Sequence, residues 1–331
     1  MQYIIVAVLL FVLSLVYFKL ADYFNIIDKP NHRSAHTEIT VRGGGIIYPI
    51  AFLIFLASHF FLENLQFFPN ILVLGMGLLV LATISFIDDI TELSAKIRIV
   101  FHFIAVTLLL YFLNVFQELP IWTIPIIYIF CIGILNAYNF MDGINGMSGL
   151  YSLLTLGSLL YVNENVVNFT DSDFIIYPLL ASIVFLFFNF RKKARCFMGD
   201  VGSMSIAFWI LALLGILITK TGEIKWILFL TVYGVEVVLT ILERLKLKEN
   251  IFEAHRRHLY QLFANDKKIS HLIVSSMYCA VQLVLNFFVI MMKFPDWMVI
   301  LVVLLPTIIA YLFIKKMMKE SIALDKIKNE N

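Results

Sequence analysis

The residues able to do chemistry fall in five short segments. Asp88 and Asp89 stand together at the end of an apolar run, in ISFIDDITELSAK. At a helix C-terminus two acidic groups oppose the partially negative end of the dipole and repel each other. A solvated helix end accounts for them. So does a cation that offsets both charges, and Mg²⁺ is the natural choice, a hard ion held by one or two carboxylates plus substrate phosphates. A second segment, Asn139-Phe-Met-Asp142-Gly143-Ile-Asn145-Gly146, closes another apolar run. Asn139 and Asp142 are three apart and share a helical face, while the glycines permit tight turns or the close approach of a ligand. Plain helix termination fits the same residues. In the third, Gly199-Asp200-Val-Gly202-Ser203 precedes an apolar run. Asp200 is there either an ordinary N-cap or a metal ligand beside backbone N–H groups that face phosphate.

The other two segments are basic. Arg42-Gly43-Gly44-Gly45 opens an apolar run after a polar stretch containing Asp28, Pro30, Asn31, Arg33 and His36. Three glycines at a helix start can offer N–H groups to an anion beside Arg42, or simply give a flexible entry into the bilayer. The fifth, His255-Arg256-Arg257-His258-Leu-Tyr260-Gln261, puts two histidines on one helical face with two arginines between them. Guanidinium groups bind phosphate oxygens in a bidentate fork, which suits a polyphosphate clamp; a basic segment lying on anionic lipid is the competing reading. Carboxylates at three helix ends and these cations share one water layer. Magnesium-dependent phosphoryl chemistry needs that combination: a cation for a diphosphate, basic groups for developing charge, and alignment.

The elements that must position these segments are membrane helices. Of 331 residues, 61% are hydrophobic and only 15% charged, and the mean hydropathy is +0.91. A soluble domain of that balance would expose large apolar patches, so lipid must be its solvent. Apolar runs at 2–20, 46–62, 71–87, 97–115, 121–138, 147–162, 174–190, 203–219, 226–243, 271–292 and 297–314 predict an all-α, polytopic transmembrane bundle of ten or eleven spans, one domain over 1–331. The first run follows only Met1 and Gln2, without the basic start and cleavage site of a removable signal, and reads as a retained helix. With alternate connections taken as cytoplasmic, 22 of the 25 Lys and Arg residues fall on one side, and only Lys220, Lys225 and Lys293 on the other. The positive-inside rule then puts the N-terminus outside, and the C-terminus and all five segments in the cytoplasm. Cys131 and Cys279 lie inside apolar runs and Cys196 in a basic loop, so no disulfide framework or metal spacing forms. Glu236, within the ninth run, either supports the site or bonds a neighbouring helix; His102 is read as structural.

In series, Asp28-x-Pro30-Asn31-x-Arg33-x-x-His36 with RGGG, Asp88-Asp89, NxxDGxxG at 139–146, MGDVGS at 198–203 and HRRHxYQ resemble the polyprenyl-phosphate N-acetylhexosamine-1-phosphate transferases. That superfamily also contains the phospho-MurNAc-pentapeptide translocase of peptidoglycan synthesis. The resemblance runs from the first loop to about residue 261. It implies Mg²⁺-dependent transfer (Mn²⁺ as a substitute) of a sugar 1-phosphate from a UDP-N-acetylhexosamine to undecaprenyl phosphate, releasing UMP at the cytoplasmic face of a bacterial inner membrane. It further implies catalytic roles for Asp88, Asp89, His255 and His258, and metal binding by Asp200 and Asp142. Substrate binding falls to His36, Arg42, Asn139, Asp142, Asn145, Arg256 and Arg257. No nucleic acid is expected, and a homodimer is compatible with the resemblance. Two departures matter: Asn145 stands where the family motif ends in Asp, and HRRH replaces the HHH of the peptidoglycan translocase. The second points to initiation of O-antigen, capsule or another surface glycan rather than to a MurNAc-pentapeptide substrate. A lipid phosphatase or nucleotidyltransferase would not need all five motifs. A transporter would line a midplane path with polar residues, and most spans here carry none.

Overall fold

A computed structural model describes residues 1–28, 40–61, 70–91, 93–250 and 256–330. Among them are eleven long helices, each lying on one of the apolar runs. They are α1 (Gln2–Tyr23), α2 (Ile47–Phe61), α3 (Ile71–Thr91), α4 (Ala95–Phe112), α5 (Ile124–Met141), α6 (Met147–Asn165), α7 (Asp173–Asn189), α8 (Gly199–Thr221), α9 (Thr231–Lys246), α10 (His271–Met291) and α11 (Asp296–Glu330). In lipid every backbone N–H and C=O must find its partner inside the protein, and a helix does this within one segment. Among the described residues, eight stretches are long and apolar enough to cross a bilayer. The apolar helices at Gly44–Phe60 and Asp173–Asn189 are shorter, and α6 is more polar because its inner face carries Ser148, Ser152, Thr155 and Ser158.

The helices differ in what surrounds them. The span Gly199–Thr221 is 83% buried, against 17% for Asp296–Asp325. Hence α8 is the axis of the bundle and α11 a peripheral helix whose apolar face meets lipid. Helices α2, α3, α5 and α6 pack on α8, and α7 and α10 flank α6. The chain before α9 is a 3-10 segment, Ile224–Leu230, and such a break frees backbone groups inside the bundle. Gln282 of α10 takes them up: its amide donates to the Leu228 carbonyl (2.9 Å) and its oxygen accepts from the Val232 N–H (2.9 Å).

At one end of the bundle the short strands Ile27–Asp28 and Thr40–Val41 pair antiparallel. Val41 then meets the segment before α8, with the Phe197 N–H donating to the Val41 carbonyl at 2.8 Å. This joins the Arg42-Gly-Gly-Gly segment to Met198-Gly-Asp. The apolar run predicted α3 to stop at residue 87, but it continues to Thr91. Asp88 and Asp89 are consequently buried residues of its last turn.

Candidate active site

Asp89 sits where three elements meet. Its Oδ1 accepts from the Arg42 Nε (2.8 Å) and the Asp200 backbone N–H (2.9 Å), and its Oδ2 accepts from the Val201 N–H (3.0 Å). A carboxylate from the C-terminal turn of α3 thus satisfies the first amides of α8, where the helix dipole is partially positive. The charge that looked misplaced on its own helix is well placed against its neighbour's. Asp88 is held separately: its Oδ1 accepts from the Leu93 N–H (2.5 Å) and its Oδ2 from Arg98 (2.9 Å).

The glycines serve this junction. A Cβ on Gly45 would lie 2.3 Å from the Gly202 Cα, and one on Gly199 would lie 2.9 Å from the Gly43 Cα, so the two segments meet backbone to backbone. The N–H groups of Gly44 and Gly45 donate to the carbonyls of Phe197 (2.8 Å) and Met198 (2.9 Å). They are spent within the protein. Close packing thus takes up two of the three donors that an anion cradle at these glycines would require.

With its helix capped by Asp89, Asp200 makes no cap of its own. Its carboxylate lies 4.0 Å from Arg42 and 3.7 Å from Arg98, within side-chain hydrogen-bonding reach of Asp88 and Asn139. It opens onto a cavity of about 300 Å³ whose wall includes Arg42, Asn139, Asp142, Asn145 and Asp200. All five segments therefore put residues on or beside one cavity: RGGG, the aspartate pair immediately behind it, the Asn139–Gly146 turn, the start of α8 and, through Gln261, the end of the fifth.

Protein surrounds Asp142 on the sides away from the cavity. Burial pushes its carboxyl up to about 7, the nearby Ser148 hydroxyl opposes the shift, and the Asp89 charge adds to it. For Arg42, burial works to lower the pKa, but the neighbouring Asp89 and Asp200 outweigh it and hold the guanidinium charged. Burial raises the Cys196 thiol far above its ordinary range, so it is no nucleophile. Asn145 is accounted for by its surroundings: its Nδ2 donates to the Arg191 carbonyl (2.8 Å), and its own carbonyl accepts from Ser275 (2.8 Å). An aspartate could not make the first bond. Through it the exposed basic loop at 191–195 is fastened beside the cavity.

The fifth segment behaves differently from its sequence reading. Tyr260 packs into the space left by Gly143, where a Cβ would sit 2.2 Å from its hydroxyl, and that hydroxyl donates to the Phe140 carbonyl (3.0 Å). The segment reaches the cavity through Gln261 and, one turn on, Asn265. His258 is buried behind the wall, stacked on Tyr260 with 5.7 Å between ring centroids and 3.6 Å from Glu236. Glu236 also accepts from the Leu259 N–H and the Tyr278 hydroxyl. This intramembrane carboxylate holds the loop in place. Arg257 pairs with Glu249 and Glu243, and neither it nor the exposed Arg256 is among the described residues lining the cavity. Among the described residues, local carboxylates engage Arg257. His36 and His255 lie outside the described residues.

Asp28, Asn189 and His271 also line the cavity. Asn189 was missed because an amide inside an apolar run gives no spacing signal. Its Oδ1 accepts from the Gly146 N–H (2.6 Å) and its Nδ2 donates to the Cys196 carbonyl (2.8 Å), tying the glycine turn to the segment before α8.

The sequence model of glycosyl transferase family 4 matches residues 71–219, which span the aspartate pair, the Asn139–Gly146 turn and Asp200. The chain is 24% identical over 276 residues to a probable undecaprenyl-phosphate N-acetylglucosaminyl 1-phosphate transferase of Bacillus subtilis, covering 77% of this chain and 75% of that one. It is 26% identical over 267 residues to an undecaprenyl-phosphate alpha-N-acetylglucosaminyl 1-phosphate transferase of Thermotoga maritima, covering 78% and 79%. A phospho-N-acetylmuramoyl-pentapeptide-transferase of Dictyoglomus turgidum is 32% identical over 187 residues, covering 51% and 57%. With five motifs in order, each with residues on or beside one cavity of a helical membrane bundle, the chain belongs to the polyprenyl-phosphate sugar-phosphate transferase superfamily.

Proposed function

We propose that this transferase moves N-acetylhexosamine 1-phosphate, GlcNAc or a deoxy relative, from a UDP-sugar to undecaprenyl phosphate and releases UMP. The product initiates O-antigen, capsule or another surface polysaccharide. One observation carries the reading: the Asp142 and Asp200 carboxylates and the Asn139 amide face one cavity on a chain whose relatives over three quarters of its length bear N-acetylglucosaminyl 1-phosphate transferase names. The match to the pentapeptide transferase covers about half the chain.

The donor set suits Mg²⁺. Asp142, Asp200 and Asn139 offer hard oxygens, and an ion of this kind takes one or two carboxylates and completes its shell with phosphate and water. When bound, Mg²⁺ would neutralise the diphosphate and stabilise charge on the departing UMP. The chain's own residues do the rest. Arg42 and Arg98 hold Asp89, Asp88 and Asp200 in register, and the basic loop at 191–195 supplies positive charge at the rim. The lipid phosphate, with a second pKa of about 6, is mostly dianionic at neutrality and needs little help from a base. Direct displacement is favoured over an aspartyl intermediate because the Asp89 oxygens already accept three hydrogen bonds and Asp88 is bound to Arg98 and Leu93.

Incubating purified protein, undecaprenyl phosphate and a panel of UDP-sugars tests the whole reading. UMP and a lipid-linked sugar should appear with UDP-N-acetylhexosamines, and no UMP without lipid. Preference for UDP-MurNAc-pentapeptide would overturn the assignment; UMP released in stoichiometric amount without lipid would overturn direct displacement.

Metal activation should depend on pH in a defined direction. Burial holds the Asp142 carboxyl at about 7, and a metal ligand must be deprotonated. Below neutrality a proton therefore competes for the site. The apparent Mg²⁺ activation constant should fall as pH rises through 7, by up to about tenfold per unit on the acid side. A constant indifferent to pH across that range would remove Asp142 from the metal site.

The basic asymmetry supports a cavity facing the cytoplasm, in the inner membrane of a bacterium, with the C-terminus inside and the N-terminus outside. Reporter fusions after Lys220 and after Lys268 should then report opposite sides, with Lys268 cytoplasmic. Agreement between the two would rule out this topology.

A further inference from the structure

The end of the bundle opposite the cavity carries a second cluster of ligand-bearing side chains. His59 lies in the last turn of α2, and Asp171 and Asp173 stand at the start of α7. The His59 ring is buried, 4% exposed. Its Nδ1 lies 3.0 Å from the Phe55 carbonyl oxygen. A carbonyl only accepts, so Nδ1, which also lies 3.2 Å from the Ser58 hydroxyl, carries the hydrogen and Nε2 is the nitrogen left to bind a metal. That Nε2 faces Asp171 Oδ2 at 3.6 Å and Asp173 Oδ2 at 3.8 Å, and among the described residues it makes no hydrogen bond. Three potential ligand atoms face one another, all within 4.8 Å. No Lys or Arg among the described residues pairs with either aspartate.

The spacing is informative. A hydrogen-bonded ion pair would close to roughly 2.7–2.9 Å. Ligands that share a tetrahedral ion at bonds of about 2.0–2.1 Å sit roughly 3.3–3.4 Å apart, a few tenths of an ångström inside the 3.6 and 3.8 Å seen here. Both carboxylates are held from behind in the manner of metal sites. Asp173 Oδ1 accepts from the Tyr3 hydroxyl (2.7 Å) and Asp171 Oδ1 from the Asp173 N–H (2.9 Å), while the ligand atom Asp173 Oδ2 also accepts from the Gln2 amide (3.0 Å) and keeps a second lone pair. Asp171 remains 30% exposed, leaving an open side for water.

We propose that His59, Asp171 and Asp173 form a binding site for a divalent transition-metal ion, Zn²⁺ by ligand chemistry, that clasps the start of α1, the end of α2 and the start of α7. One imidazole with two carboxylates suits Zn²⁺, whereas an all-oxygen set suits Mg²⁺. The site is thus chemically as well as spatially separate from the cavity.

The test uses the full chain in detergent, stripped with a chelator and titrated with Zn²⁺ in millimolar Mg²⁺, which keeps the cavity carboxylates occupied. Wild-type protein should bind one equivalent, with a rise in thermal midpoint. His59→Asn and Asp171→Asn should each weaken binding by about 100-fold or more, and Tyr3→Phe, a milder change behind the ligands, by several-fold. Transferase activity of the purified variants with excess UDP-sugar should stay at the wild-type level. Failure of the wild type to bind Zn²⁺ would show that a proton on His59 satisfies both carboxylates and would overturn the proposal. Full zinc affinity in either His59→Asn or Tyr3→Phe would also overturn it, and the wild-type titration decides the matter even if a variant does not fold.

Discussion

Asp200→Asn is expected to lower turnover on the order of 10²–10³-fold while leaving expression, membrane insertion and thermal stability close to wild type. That scale is typical of removing one preorganised charge-stabilising group from an active site. An N-cap role would predict the opposite, since Asn replaces Asp well in a cap. The structure removes that role: the first amides of α8 donate to Asp89, and Asp200 contributes only its own N–H. Its carboxylate faces the cavity between Arg42 and Arg98. Both arginines keep another aspartate when Asp200 is neutralised, so no buried cation is orphaned. The measurement is turnover across a Mg²⁺ titration beside a melting curve. Near-normal kcat with unchanged Mg²⁺ dependence would exclude Asp200 from the reaction.

The opposite signature is expected at Asp89. Asp89→Ala should cost about 3–5 kcal/mol of stability, the scale of breaking a buried ion pair from one side. The side chain is wholly buried, whereas Arg42 is about one-third exposed, which moves the value toward the lower bound. The substitution leaves Arg42 with Asp200 at 4.0 Å as its remaining partner and strands the N–H groups of Asp200 and Val201. In practice the variant should be recovered as aggregated or poorly inserted protein, and Arg42→Gln in the Asp89→Ala background should restore part of the loss by removing the under-paired charge. Thermal melts of detergent-solubilised protein separate the possibilities. A fully stable but inactive Asp89→Ala enzyme would mean that Asp89 works on the reacting atoms, the role implied by family resemblance, rather than through the α3–α8 junction.

The two aspartates of Asp88-Asp89 illustrate what a sequence can and cannot say. Their adjacency at a helix end was legible, and so was the problem it posed. The solution was not, because the amides that answer Asp89 lie 111 and 112 residues further on. The glycines of RGGG carried a similar ambiguity. Glycine marks close approach, but not what approaches, and here it is the backbone at Gly199 and Gly202 rather than an anion. Glu236 was conspicuous as a charge in an apolar run, yet its purpose, holding Leu259 and Tyr278, depended on elements outside its own helix.

The sequence by itself determined the solvent, the helices and the roster of motifs. Lipid requires long apolar segments with internally satisfied backbones, and that constraint is local, so among the described residues each of the eleven runs carries a helix. The bounds differ in places: α9 begins only at Thr231 after a 3-10 segment, and α11 continues past its apolar run to Glu330. Tertiary structure alone decided the partners. It made Asp89 the cap of another helix, left Asp200 open to the cavity, turned Arg257 toward Glu249 and brought His59 against Asp171 and Asp173 at the far end of the bundle. The physical reason is range. Helix formation in a membrane is written in neighbours three and four residues apart, whereas a buried charge is matched by whichever group packing places a few ångströms away, often more than a hundred residues along the chain.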